Sequence, residues 1–361
     1  MTVEFSTTVP ATPLPRVADM AQRLEAAGWD SLGMVDSQNL APDPYVFLSL
    51  AATATEHLKV MTAVTNVVTR HPAVTASSAF TLQAVSEGRF TLGIGRGDSA
   101  LAHVGRSPAR LAWFEQYLAA VCGYCRGEDV TFESIPALPD HIAPSVDDLN
   151  LADQPDASRI RWASGRVQPV PVEVAATGKR VIGATARHAD RVMFAVGAQP
   201  ERVAWGVETA KAAAEEAGRD PSTLNFGAYV NVVCHDDPAR ARAIGRGSAS
   251  LFIRFSAMHG TVNGPADDSQ REVFETVHEN YDMNHHARDT GGQASVIPDD
   301  FLDTFAIMGS VDHCVDRLGQ LVELGLDKFS VAGASFGSRD PEAGDAAARF
   351  IEEVAPQVRG S

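Results

Sequence analysis

The chain is short of cysteine, short of positive charge and without long apolar runs, and each shortage removes a class of protein. Four cysteines in 361 residues are too few for a disulfide framework. Cys122 and Cys125 form a CxxC, but no second ligand pair accompanies them. They sit in a stretch, 111–126, with helical apolar spacing, so core packing is expected rather than zinc or redox chemistry. Lys and Arg number 30 against 46 Asp and Glu, a formal charge of −16. That balance argues against a nucleic-acid surface, which needs clustered cations, but a phosphate-bearing cofactor needs only a few amides and one or two cations. No run approaches the ~20 apolar residues of a membrane span. Residues 1–10 show no basic region followed by an apolar one, so no secretory signal is expected and the expected address is cytoplasmic. No GxSxG appears, which disfavours an α/β hydrolase. Gly93, Gly95 and Gly97 occur as GIGRG, without the third glycine spacing or the later ribose-binding acid of a dinucleotide fingerprint.

What the chain does have is a regular alternation of short β-rich runs with longer amphipathic stretches. Strands are predicted at 3–8, 31–36, 59–68, 89–94, 170–175, 191–194, 224–233 and 328–332. Helices are predicted at 14–27, 44–55, 72–85, 108–126, 179–188, 200–217, 238–258, 300–307, 311–324 and 341–354. Eight strands, nearly all followed by helices, predict parallel strands with right-handed crossovers. The expected fold is one α/β domain over 1–361, a (β/α)8 TIM barrel; a two-domain Rossmann-like enzyme is the weaker alternative. Two irregular stretches, about 127–169 and 259–298, are expected as insertions overhanging the C-terminal face, where barrel active sites lie.

Several residues then invite a chemical reading. Asp36 ends an otherwise apolar strand, which puts its carboxylate at the barrel mouth or makes it a helix cap. Gly95, Gly97 and Asp98 lie in a glycine-rich turn that permits close backbone approach to a ligand. Ala175, Ala176, Thr177, Gly178 and Lys179 combine small residues, a hydroxyl and a helix N-terminus, the makings of an anion site. Asn66 ends the third strand and offers an amide either to a ligand or to a helix cap. His71, Tyr281 and His285 are candidate proton donors by position. His285 and His286 are adjacent with no third ligand spaced for zinc, so no metal is expected.

The runs Gly28–Gly33 leading into Asp36, Thr62–Pro72 and Ser86–Ala100 resemble the second, third and fourth strands of the bacterial-luciferase-like superfamily. Among its members they look most similar to the deazaflavin-dependent branch that includes methylenetetrahydromethanopterin reductase. The resemblance covers about two-thirds of the chain and fades in the two insertions. It implies a flavin or deazaflavin at the barrel mouth. A bulge with a non-proline cis bond at Ala63–Val64 would sit against the ring, with Thr65 and Asn66 beside it. The cofactor's ribityl-phosphate region would lie at 175–179 and at Val196-Gly197. Family members often carry a histidine for proton transfer directly after the acid; here that position is Ser37, which removes the most obvious acid/base. The implied activity is hydride transfer between coenzyme F420 and an electron-poor C=C, C=N or C=O group of a small organic substrate. The alternatives are an FMN-dependent monooxygenase, which would need oxygen and a partner reductase, and a non-catalytic flavin-binding barrel. Similar barrels pair as homodimers through helices of the early βα units.

Overall fold

The computed structural model describes residues 2–9, 12–333 and 338–360. Its strands are β1 (Glu4–Thr8), β2 (Ser31–Met34), β3 (Lys59–Thr62), β4 (Thr65–Asn66), β5 (Phe90–Gly95), β6 (Val172–Ala176), β7 (Arg191–Phe194), β8 (Asn225–Cys234), β9 (Ile307–Gly309) and β10 (Leu326–Gly333). All pair in parallel, in the order β10-β1-β2-β3-β5-β6-β7-β8, and β8 pairs back to β10. The sheet therefore closes. β3 and β4 are two halves of one stave, and β9 extends the end of β8. Helices surround the ring, so the eight-stave α/β barrel expected from the alternation is the fold.

Side chains alternate between two environments along every stave, as period-two geometry requires. The outward set, including Phe5, Leu32, Val60, Phe90, Leu92, Val174, Val192, Phe226 and Phe329, is bulky, and forms with the helices one continuous buried core. The inward set is mostly small or polar, with Met61, Met193 and Tyr229 as larger members. At the N-terminal end it is ionic: the Lys328 ammonium donates to Glu173 at 2.8 Å and lies 3.3 Å from Glu4, which also binds Lys59 at 2.6 Å. Burial alone would raise the Glu4 carboxyl, but Lys328 and Lys59 outweigh it and hold it at about 2. Farther up, Gly93 clears space that nothing larger could: a Cβ there would lie 2.0 Å from the Thr62 carbonyl oxygen.

One sequence expectation holds and three need correction. The break in the third stave is the one the family resemblance implied: the Ala63–Val64 peptide bond is cis, and pairing with β5 stops at Met61 and resumes at Thr65. Ile307, expected inside a helix, begins β9, which at three residues is too short to display alternation. The second insertion contains a helix, Asp268–Glu279, opened by an Asp267–Gln270 capping box, a local signal that was legible. The first insertion does not overhang the C-terminal face. It joins the last turn of helix Leu111–Arg126 to the start of β6, and its end is tied there by Val170 N–H donating to Cys125 and Gln83 donating to Pro169. A helix-to-strand connection belongs to the N-terminal end of a barrel. The second insertion lies in the long excursion between β8 and helix Val311–Glu323, a strand-to-helix connection, and so reaches the C-terminal rim.

Cys122 and Cys125 are buried on helix Leu111–Arg126, and burial pushes the Cys122 thiol up to about 12, which suits packing and not reactivity. Among the described residues no helix is long and apolar enough to cross a membrane.

The ionic layer inside the barrel generates a stability test. Lys328→Met leaves Glu173, 2% exposed, without its cation, and should cost about 3–5 kcal/mol in urea unfolding at pH 7. Adding Glu173→Gln to that variant should recover most of the loss; equal midpoints for wild type and Lys328→Met would contradict this account.

Candidate active site

A cavity of about 1200 Å³ opens at the C-terminal ends of the strands, above the ~300–1,000 Å³ typical of ligand pockets. Its floor is the top layer of inward side chains: Thr8, Val35, Ala63, Gly95, Ala195 and Ala332. Being small, they leave the barrel unfilled at that level. One wall is apolar and aromatic, built by Leu251, Phe252 and Phe255 of helix Pro238–Ser256 together with Met258 and Met283.

Asp36 lines this cavity and is 3% exposed. Its carboxylate accepts from Thr65 Oγ1 at 2.6 Å, from Gln38 Nε2 at 2.8 Å, and from the Arg70 guanidinium. Arg70 also reaches Asp43 at 2.9 Å and lies over the Tyr45 ring. A buried charge is tolerable only when paired and hydrogen-bonded, and these partners supply that. The carboxylate is thereby committed to holding the turn after β2. Thr65, expected beside a cofactor, is instead fully buried behind the wall as one of those donors. Ser37 lines the cavity, its hydroxyl 3.3 Å from that of Ser99.

Asn66 lines the cavity but caps a turn, not the following helix, whose cap is His71. The Asn66 Oδ1 accepts from the Val68 and Thr69 amides at 3.0 Å each, capping the turn, while its buried Nδ2 has no hydrogen-bond partner. A buried donor left unpaired costs about 1–3 kcal/mol, so an acceptor brought to this wall by a ligand would have a use there. Val64, Gly95 and Gly97 complete the same side. Gly97 is held at φ +85°, and a Cβ on it would lie 2.6 Å from Leu101 and 3.3 Å from Asn66.

On the neighbouring stave, Ala175, Thr177, Gly178 and Lys179 line the cavity. Helix Lys179–His188 starts there with Gly178 as its cap and no side chain satisfying its first amides, an open N-terminus suited to an anion. Arg96, Arg110 and Arg180 stand around it. Burial, and then the neighbouring Arg180, lowers the Arg96 pKa: like charges gather here in a chain that is acidic overall. Only Lys179 of these cations was singled out from sequence, because the arginines come from three separate elements.

Ala176 points outward into the core at 1% exposure. Val196 and Gly197 also fall behind the wall, the first accepting from Arg202, the second packed so that a Cβ would meet the Phe305 ring at 2.6 Å. Ala195 is the lining residue of that turn. His71 does not reach the cavity; it caps helix Pro72–Val85, its Nδ1 accepting from Ala73 N–H at 3.2 Å.

The second insertion supplies a different constellation. Asp98 is bound bidentately by Arg254 at 2.7 and 2.8 Å, and Arg254 lies 4.5 Å over the Tyr281 ring. The Tyr281 hydroxyl is 2.9 Å from Nδ1 of His286. His285, the expected donor, turns to solvent and pairs with Asp282 at 2.6 Å. Its neighbour His286 lines the cavity instead, because adjacent side chains diverge and no periodicity told which would face in. Tyr281 supports His286 from behind without lining the cavity.

Comparison with known proteins follows the same division. A family model described as luciferase-like monooxygenase matches residues 1–328. The 5,10-methylenetetrahydromethanopterin reductase of Methanolobus tindarius is 27% identical over 354 residues, covering 94% of this chain and 96% of that one. Among solved structures, the coenzyme F420 dependent tetrahydromethanopterin reductase from Methanopyrus kandleri superposes with a TM-score of 0.72 at 20% identity, covering 99% of this chain and 100% of that one. The oxygenating constituent of 3,6-diketocamphane monooxygenase from Pseudomonas putida, in complex with FMN, gives 0.61 at 19% identity, covering 99% and 98%.

The commitment of Asp36 to Arg70 is testable. Arg70→Met strands a buried carboxylate and should lower stability by about 3 kcal/mol. Pairing it with Asp36→Asn should restore most of that in a double-mutant cycle; strict additivity would show that the two side chains do not depend on one another.

Proposed function

Since the chain belongs to the luciferase-like monooxygenase family and is an enzyme of oxidoreductase type, we propose that it transfers a hydride between coenzyme F420 and an electron-poor C=C, C=N or C=O group of a small organic substrate. The observation that carries this reading is the state of the cavity's two acids. Asp36 and Asp98 are both consumed by arginines, so the site offers amides, cations and an aromatic wall, and leaves acid/base work sparse. That inventory suits a reaction in which the bound cofactor provides the chemistry and the protein provides position and dryness. Full-length similarity to a methylenetetrahydromethanopterin reductase supports the same choice.

The residues present fit a tricyclic cofactor with an anionic tail. Val64, Gly95 and Gly97 give an uncrowded side, and Asn66, whose buried Nδ2 is unpartnered, lines the cavity beside them. Thr177, Gly178, Lys179 and Arg180 would hold a phosphate. When bound, F420 supplies or accepts the hydride. The aromatic wall of Phe252 and Phe255 would seat the substrate and exclude water. A reading as an FMN-dependent monooxygenase with a reductase partner is favoured by the FMN-bound neighbour, and the phosphate cradle alone suits both.

Two outcomes are expected. Anaerobic mixing with reduced F420 and an activated alkene or imine should oxidise the deazaflavin stoichiometrically without oxygen uptake, whereas oxygen-dependent turnover with reduced FMN would replace this proposal by the monooxygenase. Lys179→Ala with Arg180→Ala should weaken F420 binding by roughly tenfold or more, increasingly so at low salt.

A homodimer is also proposed. Helices Pro44–Thr53 and Pro72–Val85 pack side by side and expose Val46, Leu50 and Val74 at 53%, 40% and 53%, an apolar face of the kind that marks association. Val46→Asp with Val74→Asp should convert a dimer to a monomer in light scattering; a wild-type monomer at micromolar concentration would remove the idea.

A further inference from the structure

We propose that His286 is the hydrogen-bond donor of the substrate subsite, presenting a neutral Nε2–H to an uncharged carbonyl or imine acceptor, with Tyr281 as the positioning residue that selects this tautomer. The assignment rests on the hydride-transfer reading for its chemistry and on geometry for its residues.

The Tyr281 oxygen lies 2.9 Å from His286 Nδ1 and accepts from the Ala287 amide at 3.4 Å. The Ala287 amide occupies one lone pair of that oxygen, and in the proposed arrangement the phenol donates its own hydrogen to Nδ1. The imidazole proton then resides on Nε2, which no protein group engages among the described residues. The ring as a whole lines the cavity. Tyr281 is not free to turn away, because Arg254 lies 4.5 Å over its ring and is itself clamped by Asp98 at 2.7 and 2.8 Å. The charged and titratable groups facing His286 are Asp98, Arg254, His103 and Tyr281. Burial depresses the His286 pKa to about 4, Asp98 opposing the effect and Arg254 and His103 adding to it. At neutral pH the ring is an uncharged donor.

That character selects a substrate. Phe252, Phe255 and Met283 stand on the same side of the cavity, and fit an apolar body bearing one hydrogen-bond acceptor. As the hydride pair adds to the acceptor carbon, the C=O or C=N π pair moves onto the heteroatom. The Nε2–H stabilises that growing charge and keeps its proton, as a fixed donor does in an oxyanion site. The proton that completes the alcohol or amine arrives through solvent in the cavity and is matched by the proton that the reduced deazaflavin would release on oxidation, so no hydroxide is left behind.

Long-range 1H–15N spectra of 15N-histidine protein test the arrangement directly. His286 should report the Nε2–H tautomer with no titration between about pH 5 and pH 8, and Tyr281→Phe should produce a tautomer mixture. In protein loaded with oxidised F420, cyclohexanone should shift the His286 Nε2 signal. His286→Leu should lower kcat/KM for carbonyl reduction on the order of a hundredfold and His286→Gln should recover part of it, F420 affinity being unchanged in both. A Nδ1–H tautomer, a protonated ring at pH 7, or no cyclohexanone shift up to its solubility limit would overturn the assignment. If instead no acceptor oxidises reduced F420, the hydride-transfer reading fails, while the tautomer and the ketone shift still decide the role of His286.

Discussion

Period-two alternation around the closed sheet is the constraint on which the rest depends. Every second residue of a stave must face the barrel axis, and in this chain those residues are charged at one end and small at the other. Most bulky side chains go outward, to the helices, with Met61, Met193 and Tyr229 as inward exceptions. The interior is therefore sealed below by Glu4, Glu173, Lys59 and Lys328, and left open above. The cavity is not carved out by loops; it is what remains when Ala63, Gly95, Ala195 and Ala332 stand where other barrels carry branched side chains.

A second buried cluster then grows over that opening. Phe252 stacks on Tyr229 at 6.1 Å, and the same cluster runs through Phe274, Phe301 and Phe305 of the excursion after β8. The roof is thus attached to the barrel's own interior, and not to its outer core. Arg254–Asp98 adds one directional tie between roof and rim. The pair joins the glycine turn after β5 to helix Pro238–Ser256, and through the Tyr281 ring to the insertion holding His286, so the two walls of the cavity share a fixed reference.

Much of this was legible in the sequence, because it is local or periodic. Alternation located all eight staves, and the glycine turn and helix starts placed Gly95, Gly97, Thr177, Gly178 and Lys179 at the cavity. What escaped was long-range or one-residue phase. Asp36 and Arg70 are 34 residues apart, and no spacing rule announces that the acid is already neutralised. Whether His285 or His286 turns inward is set by an irregular turn without a period to read. The placement of the first insertion could have been deduced: it follows a helix and precedes a strand, and connections of that kind gather at the N-terminal end.

The charge of the chain and the charge of its cavity oppose one another, and their distances decide which matters. A formal charge of −16 spread over the surface repels an anion in pure water. At physiological salt, though, charges farther than about 8 Å are largely screened. At the rim, Lys179, Arg180, Arg96 and Arg110 lie on one cavity, beside the uncapped amides of helix Lys179–His188, and they act at contact range where screening is weak. Anion selection here is therefore local, and the acidic exterior governs only slow, long-range encounter. Arg70 and Arg254 are spent on Asp36 and Asp98, which leaves those four rim residues and Arg288 of the second insertion as the cations lining the cavity. A ligand's anionic end would be met most strongly where Lys179, Arg180 and the uncapped amides of helix Lys179–His188 converge.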